Sequence, residues 1–209
     1  MARDRDRRYA RRGLLAPAKG PEPVAPVARR DITHRDELGD VLNARGLVGV
    51  GAEIGCAFGA YARTVLSRWH GQRYLLVDLW ADQPHDVYRE DTSAVDFSSR
   101  LRECEKLAAA DPRVQLVRAD SVQAARGVQD GSLDFVYIDA NHARPAVLAD
   151  MDVWWPKLRS GGIFAGHDYY DDTAWPHFCE VKTAVNEWMA ARAVAFTTTP
   201  CSSWWAIRA

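Results

Sequence analysis

The sequence specifies an α/β fold, with a mostly parallel sheet and helices on both faces, and three observations predict it. Short apolar runs alternate with helix-length segments; several runs end on glycine or an acid; and the last two runs are joined by a turn too short for a crossover. Parallel neighbours need a crossover of a dozen or more residues, usually a helix, whereas two strands around a short turn are antiparallel. Sequence periodicity therefore predicts five parallel strands closed by an antiparallel pair, seven in all.

Thr33, followed by Asp36 and then by Leu38, Val41 and Leu42 at helical spacing, predicts an N-capped helix to about Ala44, stopped by Gly46. Leu47 to Ile54 is a buried strand, 55–59 a glycine loop, and Tyr61 to Trp69 a helix. Tyr74 to Asp78 is the second strand, and the helix after it runs from about Val95 to Ala109. Between them lies Trp80 to Asp96, polar and longer than a typical connection, which reads either as a lid or as an exposed loop.

The third strand, Val114 to Val117, ends near Asp120, and the fourth, Leu133 to Ile138, ends on Asp139. A helix from about Pro145 to Leu158 and a turn at Ser160-Gly161-Gly162 lead to a fifth strand, Ile163 to Ala165, closed by Gly166-His167-Asp168. A helix from about Cys179 to Ala191 precedes the final pair, Ala193 to Thr197 and Trp204 to Arg208, around Pro200-Cys201.

Length and composition bound the rest. A chain of 209 residues with 47% hydrophobic content supports one sizeable core. No apolar run approaches the roughly 18 residues of a membrane span, so a cytoplasmic protein without membrane contact is expected. The four cysteines form no C-x-x-C pair, which argues against a zinc ribbon or a thioredoxin-like motif. Residues 1–30 hold nine basic and three acidic side chains among several prolines and read as an arm for partner contact or self-association; residues 31–209 form the single domain. That body carries 18 basic against 25 acidic residues, which disfavours nucleic acid and favours a small-molecule acceptor.

Ligands of open α/β sheets sit beyond the carboxyl ends of the strands, and here those ends are acidic. After the first strand comes Glu53-Ile54-Gly55-Cys56-Ala57-Phe58-Gly59. Glycines let the backbone approach a ligand, and an acid beside them suits a cation; a pyrophosphate loop wants bare amides and no carboxylate. Asp78 lies where an acid accepts hydrogen bonds from ribose hydroxyls, and Asp120-Ser121 lies where an adenine amino group would be met. Asp120 serves equally as a helix N-cap.

These residues resemble the class I S-adenosylmethionine-dependent methyltransferases, whose loop has the same E-x-G-x-x-x-G form and whose Rossmann-like sheet ends in an antiparallel pair. The resemblance implies S-adenosylmethionine contacts from Glu53, Gly55, Cys56, Phe58, Gly59, Asp78, Leu79, Asp120, Ser121 and Asp139. Asp139 and Asp168 further resemble the metal ligands of the metal-dependent O-methyltransferases that act on catechols or natural-product sugars, which implies a divalent cation such as Mg²⁺. Two carboxylates converging on one small site repel, so either one of them is protonated or a cation lies between them, and Mg²⁺ would serve.

His142, three residues after Asp139, matches the family's general base, and an ordinary imidazole is mostly neutral near pH 7. Where sugar enzymes have two adjacent acids, this chain has His167-Asp168, so the third ligand is His167, Asp171 or Asp172. Against these readings stand plainer ones. Asp139 and Asp168 could cap helices or pair with Arg144, His142 could bond a carbonyl, and Glu53 could mark a strand-end turn. Trp80 is placed to act as a substrate platform, whereas Trp154-Trp155 and Trp204-Trp205 read as core. The rival functions are a metal-independent methyltransferase using a histidine base, an NAD-dependent oxidoreductase, and a non-catalytic cofactor-binding subunit.

Overall fold

A computed structural model describes residues 32–84, 88–174 and 178–209. The expected arm, its partner contacts, His85 and His177 lie outside them. The main sheet has seven strands: β1 (Val50–Ile54), β2 (Arg73–Asp78), β3 (Val114–Arg118), β4 (Leu133–Ile138), β5 (Leu158–Gly166), β8 (Phe196–Thr198) and β9 (Trp204–Ile207). A separate two-residue ladder pairs β6 (Asp171–Asp172) with β7 (Cys179–Glu180) and has no counterpart in the sequence reading. The order across the main sheet is β3-β2-β1-β4-β5-β9-β8. The first five are parallel neighbours, and β9 runs antiparallel to both β5 and β8. The order reverses at β1, so the crevice between β1 and β4 is the switch point at which ligands enter such sheets.

Helices cover both faces. On one lie α1 (Leu38–Ala44), α2 (Ala60–Leu66) and α3 (Phe97–Ala110), which bury Leu42, Val65 and Leu107 against Tyr74, Leu76 and Phe135. On the other lie α4 (Ser121–Ala125), α5 (Arg144–Trp154) and α6 (Val181–Ala191), which bury Ala125, Met151 and Trp188 against Leu75, Val136 and Phe164. The alternation along each strand delivers one residue set to each face. Leu75 and Val77 go to one core and Tyr74 and Leu76 to the other. The two core faces, rather than one, account for the continuous apolar runs.

Several boundaries differ from the sequence reading, three of them for an identifiable local reason. The first helical turn is 3₁₀ (Arg35–Glu37), capped by His34, while Thr33 bonds Glu37 through both its amide and its hydroxyl. Helix α5 stops at Trp154, because Pro156 cannot continue the hydrogen-bond ladder. Ser160-Gly161-Gly162 lies inside β5 as an irregularity: the register against β4 jumps from Leu133↔Leu158 to Phe135↔Ile163, with Gly161 at φ +78°. Among the described residues no helix is long and apolar enough to cross a membrane.

Candidate active site

A cavity of about 540 Å³ opens beyond the carboxyl ends of β1, β2, β3 and β4. Its walls include Gly55, Asp78, Leu79, Asp120, Ser121 and Asp139. The volume lies within the range of small-molecule sites.

Gly55 shows why the loop needs glycine. It sits at φ +84°, and a Cβ there would collide with the Asp139 carbonyl, so the loop and the end of β4 touch only because the side chain is absent. Asp78 fixes the other side of the loop: Oδ2 accepts from the Ala57 amide at 2.9 Å and Oδ1 from the Trp80 amide at 2.7 Å. Trp80 is buried and donates its indole N–H to the Ala57 carbonyl at 3.0 Å. It braces the loop and is not the substrate platform that its position in the sequence suggested.

Glu53 does not reach the cavity. Strand alternation turns it to the opposite face from Ala52 and Ile54, where it is buried and accepts a 2.8 Å hydrogen bond from Tyr74. Burial pushes its carboxyl up to about 8; the Tyr74 bond opposes this and the charge of Asp139 adds to it. A carboxyl held there is largely neutral and bonded to a phenol, so the role read from sequence, a fixed anion facing a sulfonium, is corrected. Cys56, Phe58 and Gly59 are also absent from the cavity wall. Gly59 starts α2 at φ +70°, Cys56 is buried in the core, and Phe58 is exposed beneath the Arg100 guanidinium.

At the far end, Asp120 does cap α4, its Oδ1 accepting from the Val122 and Gln123 amides at 3.0 and 3.2 Å, while it still lines the cavity. Ser121 accepts from the Trp154 indole at 2.8 Å. Asp150 of α5 is a wall residue that the sequence reading missed. Burial pushes its carboxyl up to about 7, against a Ser121 hydrogen bond and with help from Asp120. Its only sequence signal is an acid within the otherwise apolar stripe of α5.

Beside this cavity the ends of β4 and β5 bring charged groups together. Asp139, His142 and Asp168 each present a ligand atom, all within 4.8 Å of one another. His142 Nε2 is 3.2 Å from Asp168 Oδ2 and 3.7 Å from Asp139 Oδ1, yet it is buried and hydrogen-bonds neither. Its Nδ1 lies 2.6 Å from Oε1 of Glu90, another residue the sequence reading missed. Burial alone would lower the His142 pKa, but Asp139, Asp168 and Glu90 outweigh it and hold the ring far above the ordinary imidazole range. The expectation of a neutral imidazole therefore fails for this arrangement, because three carboxylates surround one ring. Asp168 is held well below the carboxylate range: the His142 and His167 rings beside it overcome its burial. Its backbone sits at φ +53°, an unusual conformation for a residue with a side chain.

The third member of this cluster is His142. His167 lies outside it, with Nδ1 2.8 Å from Asp168 Oδ1. Asp171 accepts from the Thr183 amide and hydroxyl, and Asp172 from the Ala174 amide, so both are engaged elsewhere. Arg144 pairs with Glu187 through two bonds of 2.7 and 2.9 Å and leaves Asp139 and Asp168 alone.

A family model described as a methyltransferase domain matches residues 52–169, more than half of the chain. No match is found among curated proteins. Among solved structures, the O-methyltransferase NovP is 15% identical at a TM-score of 0.59, over 83% of this chain and 77% of that one. A putative caffeoyl-CoA O-methyltransferase from Staphylococcus aureus is 14% identical at 0.59, over 88% and 86%. The N-methyltransferase NodS from Bradyrhizobium japonicum is 15% identical at 0.55, over 82% and 92%. At such identities the likeness is one of fold, and the acceptor atoms in these names differ. The match to the family model over most of the sheet, together with the strand order and the cavity at its switch point, makes this chain a member of that methyltransferase family, an S-adenosylmethionine-dependent enzyme of the class I fold.

Proposed function

We propose that the enzyme methylates a hydroxyl oxygen of a small molecule beside a divalent cation, with Asp139 and Asp168 as protein ligands of the ion and His142 as base. The observation that carries this reading is the cluster of Asp139, His142 and Asp168, whose imidazole Nε2 is buried without a hydrogen-bond partner at the rim of the cofactor cavity. A buried polar atom left unbonded costs roughly 1–3 kcal/mol, and paired carboxylates repel, so the arrangement fits a bound cation and an acceptor oxygen. The donor set suits Mg²⁺ or Mn²⁺ through oxygen.

Asp78 would receive the ribose hydroxyls, and Asp120 with Asp150 the adenine amino group. When bound, the sulfonium supplies an electrophilic methyl carbon, and the acceptor oxygen forms the C–O bond as the C–S bond breaks. When bound, the ion orients the acceptor oxygens and lowers the pKa of the attacking hydroxyl. A cation held by Asp139 and Asp168 would offset their charge, and His142 Nε2, the ring nitrogen turned toward them, would then take the hydroxyl proton. Closeness and alignment supply much of the remaining acceleration. The acidic body favours a small acceptor over nucleic acid, and a vicinal diol, as in a catechol or a sugar, offers the two oxygens such a centre orients.

Mn²⁺ binding followed by electron paramagnetic resonance tests the metal. One ion per chain is expected in the wild type and none in Asp168→Asn. A wild type that binds no Mn²⁺, yet methylates catechol at an undiminished rate in EDTA, would establish the metal-independent reading, with His142 acting alone.

A further inference from the structure

We propose that Glu90 is the positioning residue of His142. It belongs to the segment between β2 and α3, more than fifty residues from the histidine, and no strand-end pattern points to it. Its Oε1 lies 2.6 Å from His142 Nδ1, and both side chains are largely buried. An imidazole free to rotate about its side-chain bonds presents either nitrogen to its surroundings. A carboxylate on Nδ1 accepts a hydrogen bond from its N–H, holds the ring plane, and leaves Nε2 as the working atom. Nε2 is the atom found between Asp168 and Asp139.

Among the described residues, no other hydrogen bond is made by the ring. Asn141 bonds the Ala143 amide, and the Glu180 amide bonds the His142 carbonyl, so these hold the backbone around the ring and leave its rotation free. Glu90 itself is held by its surroundings: the Tyr88 hydroxyl lies beside it, and burial together with the Glu90 charge pushes that phenol up to about 12.

Glu90 also has a second location. Together with Tyr88, Asp91, Thr92 and Val95 it lines the cofactor cavity, so the wall that faces the methyl donor is the same segment that aims the imidazole. A cofactor that packs against this wall thereby sets the ring that serves the acceptor.

The inference rests on His142 as the base, and the experiment separates the two. The full chain, labelled with ¹⁵N in its histidines and loaded with Mg²⁺ and S-adenosylhomocysteine, is observed by NMR as wild type, Glu90→Gln and Glu90→Ala. His142→Ala assigns the resonance. The wild type is expected to show a slowly exchanging, downfield His142 Nδ1–H that Glu90→Gln largely retains, because the amide oxygen still accepts, and that Glu90→Ala loses. With catechol as the acceptor, Glu90→Ala is expected to lower kcat about 10–100-fold, with KM for S-adenosylmethionine little changed. His142 ring resonances that are identical in the wild type and Glu90→Ala would overturn the proposal. So would a Glu90→Ala enzyme that raises KM for the methyl donor at unchanged kcat, since Glu90 would then be only a wall of the cavity. A His142→Ala enzyme as fast as the wild type would instead remove the base itself, while the resonance of the Glu90 contact would stand.

Discussion

The two ends of β4 each carry an aspartate, and the fold treats them oppositely. Asp134, at the amino end, is buried and meets the Gly49 amide and the Arg159 guanidinium. Asp139, just past the carboxyl end, forms no ion pair with an arginine or lysine among the described residues, although the charge of Arg35 acts on it from a distance; its ion-pair partner is His142, which it shares with Asp168 and Glu90. At one end a permanent cation completes the charge balance within the fold. At the other, three carboxylates surround a titratable ring, and the balance awaits ligands. Buried acids of the first kind hold structure together, whereas groups perturbed by like charge in a cleft mark sites of chemistry.

The sharpest way to break this comparison is to remove an acid from the unbalanced end. Asp168→Ala is expected to lower turnover about 1,000-fold, measured as S-adenosylhomocysteine formed, with only a modest fall in melting temperature as His142 and His167 lose the carboxylate they stabilise. A large loss of stability without loss of rate per folded molecule would show that Asp168 is structural, like Asp134.

Between these extremes lies Asp78, whose oxygens already hold two loop amides while the residue lines the cavity. Asp78→Ala is expected to weaken S-adenosylmethionine binding about 10–100-fold by calorimetry, with a smaller effect on kcat, because it acts on the cofactor and the loop and not on the base. For the balanced end, Asp134→Ala is expected to cost about 2 kcal/mol in urea unfolding, since it strands the Gly49 amide and an only partly buried arginine, and to leave kcat unchanged.

The smallest effect concerns a third kind of acid, one buried with neither cation nor imidazole. Burial raises the Asp150 carboxyl from its ordinary 3.8 to about 7. The folded chain therefore holds this proton more tightly than the unfolded chain, and the stability it contributes is full below about pH 4 and lost as pH rises through 7. Relative to the wild type, Asp150→Asn is expected to gain about 2 kcal/mol between pH 5 and pH 8 in the absence of cofactor. Glu53, raised from 4.5 to about 8, has the same sign, and Glu53→Gln should extend the gain toward pH 9. A stability difference independent of pH would show that these carboxyls are not held neutral by the fold.

Much of this molecule was legible in its residues. Five apolar runs ending in acids or glycine, each separated from the next by helix-length chain, dictate parallel strands, and the turn at Pro200-Cys201 dictates the antiparallel end. Gly55, Asp78, Asp120 and Asp139 were readable because strand ends share one edge in any such sheet, so their position follows from topology alone. Asp139, His142 and Asp168 were readable through a family resemblance that rests on the same topology.

The facing of side chains and the meetings of distant ones were decided only by tertiary structure. Alternation separates Glu53 from Ala52 and Ile54, but it does not say which face lies beneath the cavity; that depends on which helices pack on which side. Asp134 and Asp139 bound one apolar run, and only the arrival of Arg159 at one end and of Asp168 at the other tells them apart. Glu90 reaches His142 across two intervening helices, two strands and their loops, a contact that exists because β2 and β4 both flank β1. Local sequence fixes the period and the ends of each element, since those depend on backbone sterics and capping. The partner of a buried charge is fixed by how elements distant in the chain pack, and that is a property of the whole core.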